Sequence, residues 1–265
     1  MMTPLRPVVF RALTFLVLCA SPPSTAQLHP SFYNGETLTY KAYFHWGFIW
    51  LHAGAVVFMA EPRYQDDRPY LHFLSTGTTL KPFDLLFKVR DRFESLADPS
   101  GLWPHEFHRN TREGKHAVEL TYRFQKDPPV IHTRRFDGDT GFVSDTMALK
   151  PGTRDVLTSI YFSRTIDYEH LEKGSRIPLT MIIDHVIHDL DLIYEGRETV
   201  QIERRKKQSC YRISIRLEKG TLFKGGETLT AWITADERRI PLVVESTVIV
   251  GSVKAILAEG SATGH

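Results

Sequence analysis

Thr37-Leu38-Thr39-Tyr40-Lys41-Ala42-Tyr43-Phe44 alternates between side chains that suit an apolar interior and side chains that suit water. An extended backbone sends successive side chains to opposite faces, so the segment reads as a half-buried strand. The turn pair Asn34-Gly35 opens it, since glycine tolerates the backbone angles a tight turn needs. Working outward, the same texture recurs at Ala53 to Met59, Tyr70 to Leu74, Leu85 to Phe93, Ala117 to Phe124 and Val130 to Phe136. It returns at Arg197 to Arg204, Cys210 to Leu217, Thr228 to Thr234, Leu242 to Val250 and Val253 to Leu257. Lys126-Asp127-Pro128-Pro129 reads as a hairpin end. Short strands with turns this frequent predict an all-β, mainly antiparallel fold, one large curved sheet closing into a barrel-like or sandwich-like domain.

One segment breaks the rhythm. Leu157, Ile160, Tyr161 and Arg164 stand at helical spacing, which predicts a short helix near 155–164, packed against the sheet or plugging one of its ends. Asp155 suits the N-cap, where its carboxylate accepts the free amides of the first turn. Arg164 falls at the other end, where a cation meets the negative pole of the helix.

The N-terminus carries Arg6 and Arg11, an apolar run from Leu13 to Ala20, then Pro22, Pro23 and the small residues Ser24 to Ala26. That pattern predicts a secretory signal over residues 1–26, cut after Ala26, followed by a single β-rich domain over 27–265. The run is shorter than the roughly 20 apolar residues of a spanning helix, and Leu18 before Cys19 argues against a lipidated cysteine. Cys210 is then the last cysteine, and its strand-like surroundings predict a buried, inert thiol. Removing Arg6 and Arg11 from the 33 basic residues leaves 31 against 31 acidic ones. A chain so balanced lacks the basic excess of a nucleic-acid binder. Its one basic block, Arg204-Arg205-Lys206-Lys207, reads as a solvated turn.

Three further stretches resemble a known family. Gly35-Glu36-Thr37-Leu38-Thr39-Tyr40, the helix residues Asp155, Tyr161 and Arg164, and Trp232-Ile233-Thr234-Ala235-Asp236-Glu237-Arg238-Arg239-Ile240-Pro241 follow the pattern of the exported bacterial proteins grouped as domain of unknown function family 3108. Ser159 stands one position from the serine of the family's helix motif. The resemblance implies a periplasmic or envelope-associated β domain, and it implies no activity. Asp236 to Arg239 can equally form a plain turn, with Trp232 in the core and Pro241 at the start or edge of a strand, where no ladder amide is needed.

No catalytic centre stands out. There is no Gly-x-Ser-x-Gly elbow and no phosphate-cradling glycine loop, and the sequence calls for no cofactor. His185 and His188 are candidate metal ligands, with Asp184, Asp189 and Asp191 nearby, but their odd separation on a strand would point them apart. Glu36, Asp84, Asp91 and Glu94 are candidates for carboxylate pairing across strands. The aromatic residues Trp46, Phe48 and Trp50, with Phe83 and Phe87, form the candidate ligand site. An extended chain puts Phe44, Trp46, Phe48 and Trp50 on one face, whereas a turn at Gly47 brings Trp46 and Phe48 to a barrel mouth. Either arrangement suits core packing or a pocket for a lipid or other apolar small molecule. The reading is therefore a non-catalytic periplasmic protein that binds an apolar ligand and touches membranes peripherally if at all. A structural or assembly factor contacting another envelope protein is the alternative, followed by an envelope-polymer hydrolase.

Overall fold

The computed structural model describes residues 35–46, 49–138, 140–202, 207–216, 228–247 and 252–259. The expected signal segment, Cys19, Phe48, the side chain of Trp46 and Arg204 to Lys206 lie outside the described residues. Fourteen strands form one antiparallel sheet. They are β1 (Glu36–Trp46), β2 (Ile49–Gln65), β3 (Arg68–Thr79), β4 (Val89–Asp98), β5 (Trp103–Glu113), β6 (His116–Gln125) and β7 (Val130–Asp137), then β8 (Gly141–Ala148), β9 (Arg176–Ile183), β10 (Val186–Val200), β11 (Gln208–Arg216), β12 (Thr228–Thr234), β13 (Pro241–Thr247) and β14 (Ser252–Leu257). The order is β8-β7-β6-β5-β4-β3-β2-β1-β14-β13-β12-β11-β10-β9, so β1 sits mid-sheet and β8 and β9 are the edges. The end at which β1 begins is proximal, and the end bearing the β1–β2 turn is distal.

The alternation that marks β1 as a strand is seen directly. Glu36, Leu38 and Tyr40 are buried, and they pair across with Ala60, Phe58 and Val56 of β2. Pairing partners share a face, so the apolar layer continues through Phe73 and Ser75 of β3, Phe93 and Ser95 of β4, Phe107 of β5, Tyr122 and Leu120 of β6 and Ile131 of β7. The sheet does not close by hydrogen bonds between β8 and β9. It rolls instead, and the β9–β10 hairpin tucks inside the roll. Ile182 and Ile187 of that hairpin pack with the layer formed by Phe107, Leu120, Tyr122 and Ile131, while Met181, Ile183 and Leu190 face Val156 and Ile215.

The helix α2 (Val156–Ser163) fills the roll between β3, β4 and β9. It is shorter than the stretch 155–164, because Asp155 and Arg164 are its caps. The Asp155 carboxylate accepts the Thr158 amide at 3.0 Å and the Ser95 hydroxyl at 2.7 Å, so the cap also fastens the helix to β4. Tyr161 stacks on Phe73, ring centroids 3.9 Å apart. Arg154, just before the cap, exchanges backbone hydrogen bonds with Thr180 and Ile182 and so extends the β9 edge.

Arg164 does more than meet the helix pole. Its Nη1 and Nη2 donate to the two oxygens of Glu36 at 2.6 and 2.9 Å, and both side chains are 1% exposed. Nη2 and Nε also donate to the carbonyls of Arg238 and Arg239, at 3.0 and 3.1 Å. Tyr40 completes the group by donating its hydroxyl to Pro241 O at 2.9 Å. Asp236 shapes the β12–β13 turn, its Oδ1 accepting the Arg238 and Arg239 amides and the Thr234 hydroxyl. The three resemblance stretches thus meet in one buried clasp. Trp232 stands aside, only partly buried, its Nε1 donating to Glu198 at 2.9 Å. Pro241 begins β13, as expected of a residue without an amide.

Other departures have clear causes. Leu85 to Phe93 is not one strand: α1 (Lys81–Asp84) ends just before it, a turn and an irregular stretch take Leu85 to Lys88, and β4 starts at Val89. The Asp84 carboxylate accepts Arg90 at 2.6 and 3.1 Å and the Thr79 hydroxyl at 2.5 Å, which folds the segment back on itself. Arg197 to Val200 is the end of the long β10, kinked by a bulge between Tyr194 and Gly196, rather than a separate strand. Lys126 to Pro129 makes the β6–β7 turn, with a cis Asp127–Pro128 bond. Asp155→Ala is expected to destabilise the fold by about 2–4 kcal/mol, the loss of a cap plus a buried hydroxyl left without its acceptor. Asp155→Asn keeps an acceptor and should cost less than half as much, measured by urea unfolding.

Candidate functional site

At the proximal end, the β4–β5 connection, the β6–β7 turn and the chain after β8 enclose an apolar cleft of about 290 Å³. Trp103, Pro104, Phe124, Leu149, Pro129 and Pro151 line it. Lys126 and Lys150 line it too, Lys150 hydrogen-bonded to Asp189. Each wall residue is placed by a local rule. Leu102 adopts a positive φ of 53° and donates its amide to Asp98 O, and this tight turn swings Trp103 outward. Leu149 donates its amide to Pro129 O, which fixes the width between the two loops.

A cation lies behind the Trp103 wall. The Arg154 guanidinium, buried, donates to Leu102 O and rests 4.3 Å from the Trp103 ring centroid and 4.2 Å from that of Phe162. Burial pulls its pKa down to about 10, partly countered by the neighbouring Asp155. Aromatic faces hold such a charge without a carboxylate. The cleft is therefore apolar in its lining, with Lys126 and Lys150 among its lining residues and the Arg154 guanidinium behind Trp103.

The candidate residues lie at the other end. The chain reverses between Trp46 and Ile49, so Trp50 pairs with His45 and stacks on it at 4.5 Å. Trp50 consequently faces the side opposite Phe44, so the expected single face of alternating aromatics does not hold between these two. Phe83 and Phe87 belong to α1 and the turn after it, also distal, and neither lines the cleft. His185 and His188 do not form a pair: His185, at φ 65°, sits in the β9–β10 turn, while His188 pairs with Met181 along β10. The His185 amide donates to the Tyr122 hydroxyl at 2.9 Å. Among the described residues no three His, Cys, Asp or Glu side chains converge as a metal ion requires. Cys210 is buried, and desolvation pushes its thiol up to about 11.

The four candidate carboxylates do not pair with one another. Glu36 belongs to Arg164, Asp84 to Arg90, and Glu94 to Arg92 at 2.7 Å and His72 at 3.3 Å. Asp91 alone stays unneutralised, on the inner face near Glu113, accepting the Arg112 amide at 3.2 Å. Burial first, then the Glu113 charge, pushes it up to about 6. Arg109 on the same face reaches the β9–β10 turn, its Nη1 donating to Asp184 at 2.8 Å, and so latches the hairpin tip to β5. Neither Trp103 nor Arg109 carries a local sequence signal, since each acts on residues far along the chain.

Comparison with known proteins adds a family and a fold. The family model described as "Protein of unknown function (DUF3108)" matches residues 39–258. Among solved structures, the chain is similar to the crystal structure of a beta-barrel-like protein of domain of unknown function DUF1849 from Brucella abortus. The TM-score is 0.56 at 11% identity, covering 85% of this chain and 96% of that one. The likeness carries a barrel-like fold and nothing of chemistry. No curated protein matches the sequence.

Asp91 makes stability depend on pH. Its folded pKa of about 6 exceeds the ordinary carboxylate value, so the native state holds the proton more tightly than the unfolded chain. That contribution is full below the unfolded pKa and is lost as pH rises through about 6. Asp91→Asn should therefore gain stability over the unsubstituted protein between pH 4 and pH 7, read as a rising difference in urea midpoints across that range.

Proposed function

We propose, for a chain that belongs to the DUF3108 family, that it acts in the periplasm as a non-catalytic carrier or sensor of an apolar, anionic amphiphile. The observation that carries this reading is the cleft beneath Trp103. Its lining of Trp103, Phe124, Leu149 and three prolines offers an acyl chain or ring an apolar bed. Lys126 and Lys150 in the lining, and Arg154 behind Trp103, favour a negative head group over a neutral one. A volume of about 290 Å³ lies at the small end of ligand pockets, so it suits one tail rather than a whole diacyl lipid. Export is supported by the N-terminal pattern of basic residues, apolar run and small residues.

A second reading, an assembly factor, is favoured by one observation. β8 pairs only with β7, and its open edge carries the exposed Phe142 and Val143. Such an edge can accept a strand from another envelope protein.

Native mass spectrometry of the protein purified from an exporting host is expected to show an adduct with the mass of a single-tailed amphiphile. A fluorescent fatty acid should bind below its micelle threshold, and Trp103→Ala or the surface change Lys126→Glu should weaken it by about tenfold, or 1.4 kcal/mol. A clean apo mass together with no binding of the fatty acid would remove this reading.

A further inference from the structure

The distal end carries an apolar surface that the cleft does not use. In the turn after α1, Leu85 is 91% exposed and Leu86 83%, and Phe87 stands beside them. Ile49, 62% exposed, and Trp50 rise from the neighbouring β1–β2 turn, tied to this loop by the hydrogen bond from Leu80 N to Ala53 O. On the other side the loop meets the β5–β6 hairpin: Gly114 N donates to Lys88 O, and Gly114 lies so close to the Phe87 ring that a Cβ there would sit 3.0 Å from it. Phe136 and Phe142 extend the apolar surface on the β7–β8 hairpin.

This tip is held out rather than loosely left out. The Thr79, Asp84 and Arg90 network anchors its base, and Phe83 O accepts the Leu86 and Phe87 amides at 3.0 and 2.8 Å. A rigid turn that presents two leucines to solvent needs a reason, because large exposed apolar patches mark interaction sites.

Charge indicates what covers it. Lys81 and Lys88 bracket the turn, and Arg112 and Lys115 lie on the adjoining hairpin, all four exposed and without an ion pair among the described residues. The acids of these loops are spoken for or turned away: Asp84 is held by Arg90, and Asp91 faces inward beside Glu113. A convex apolar tip ringed by unpaired cations matches the two signals of peripheral membrane binding, shallow insertion of side chains and attraction to anionic head groups. A protein interface would instead place a charge-depleted core inside a polar rim. We propose that the distal end, through Leu85, Leu86, Phe87, Ile49 and Trp50, docks onto the surface of an anionic phospholipid bilayer. The docking stands apart from the cleft, which lies at the opposite end and remains turned toward water.

Vesicle sedimentation tests it with the purified protein. Binding is expected to phosphatidylglycerol-containing vesicles, weaker to phosphatidylcholine alone, and to decline with added salt. The double change Leu85→Asp with Leu86→Asp alters two exposed side chains and should lower the partition by about tenfold or more without moving the melting temperature. Lys81→Glu with Lys88→Glu should abolish the preference for anionic vesicles, whereas Lys126→Glu, which weakens fatty-acid binding, should leave vesicle binding unchanged. Failure to sediment with either vesicle, or sedimentation indifferent to Leu85 and Leu86, overturns the proposal. So does loss of a protein crosslink on changing those leucines, where vesicle binding is absent.

Discussion

A carboxylate and a guanidinium buried together hold this molecule in its shape. An open sheet rolled on itself has no closing ladder of hydrogen bonds, so something else must fix the roll. Glu36 at the start of β1 and Arg164 at the end of α2 are 128 residues apart, and the turn before β13 comes to Arg164 through the Arg238 and Arg239 carbonyls. Removing two charges from water is costly, and only close geometry with every side of the pair hydrogen-bonded offsets that cost. Here the geometry is bidentate and two further donors meet carbonyls. Once α2 is set by that clasp, Tyr161 falls onto Phe73 and Asp155 onto Ser95, and the Arg154 segment joins the β9 edge.

The clasp also explains how the two ends of the roll differ. α2 and the segment before it occupy the proximal half, and the cleft forms where the chain leaves β8 on its way to the helix. Toward the distal end the inner face mixes Asp91, Arg109 and Thr111 with Phe93, Val118 and Leu120. Further apolar residues at that end sit on the loop tips. One end thus carries an apolar cleft and the other a set of exposed apolar loop tips, and the same sheet keeps the two apart.

How much of this the sequence discloses depends on whether the physical cause is local. β1, β6, β7, β11 and β12 are readable because one buried face imposes a two-residue rhythm. β8 is not, since nearly all its side chains are exposed and no alternation arises. The polar run His188 to Asp191 conceals the middle of β10, and Trp103-Pro104 with its two histidines conceals β5. Leu85 to Phe87 looks like a strand because it is apolar, yet those side chains face solvent, and it is Asp84 and Arg90 that fold the segment. The helix caps are readable from Asp155 and Arg164, but the pairing of Arg164 with Glu36 is not, because the two stand 128 residues apart. The cleft is hidden for the same reason: Trp103, Phe124 and Leu149 come from three separate segments.

A double-mutant cycle on Glu36 and Arg164 measures the clasp itself. Arg164→Met or Glu36→Leu alone strands one buried charge, so each should cost about 3–5 kcal/mol in urea unfolding. The double substitution should cost much less than their sum, with a coupling energy above about 2 kcal/mol. Single substitutions that cost under about 1 kcal/mol, or effects that add to within about 0.5 kcal/mol, would show that the roll is held by something else.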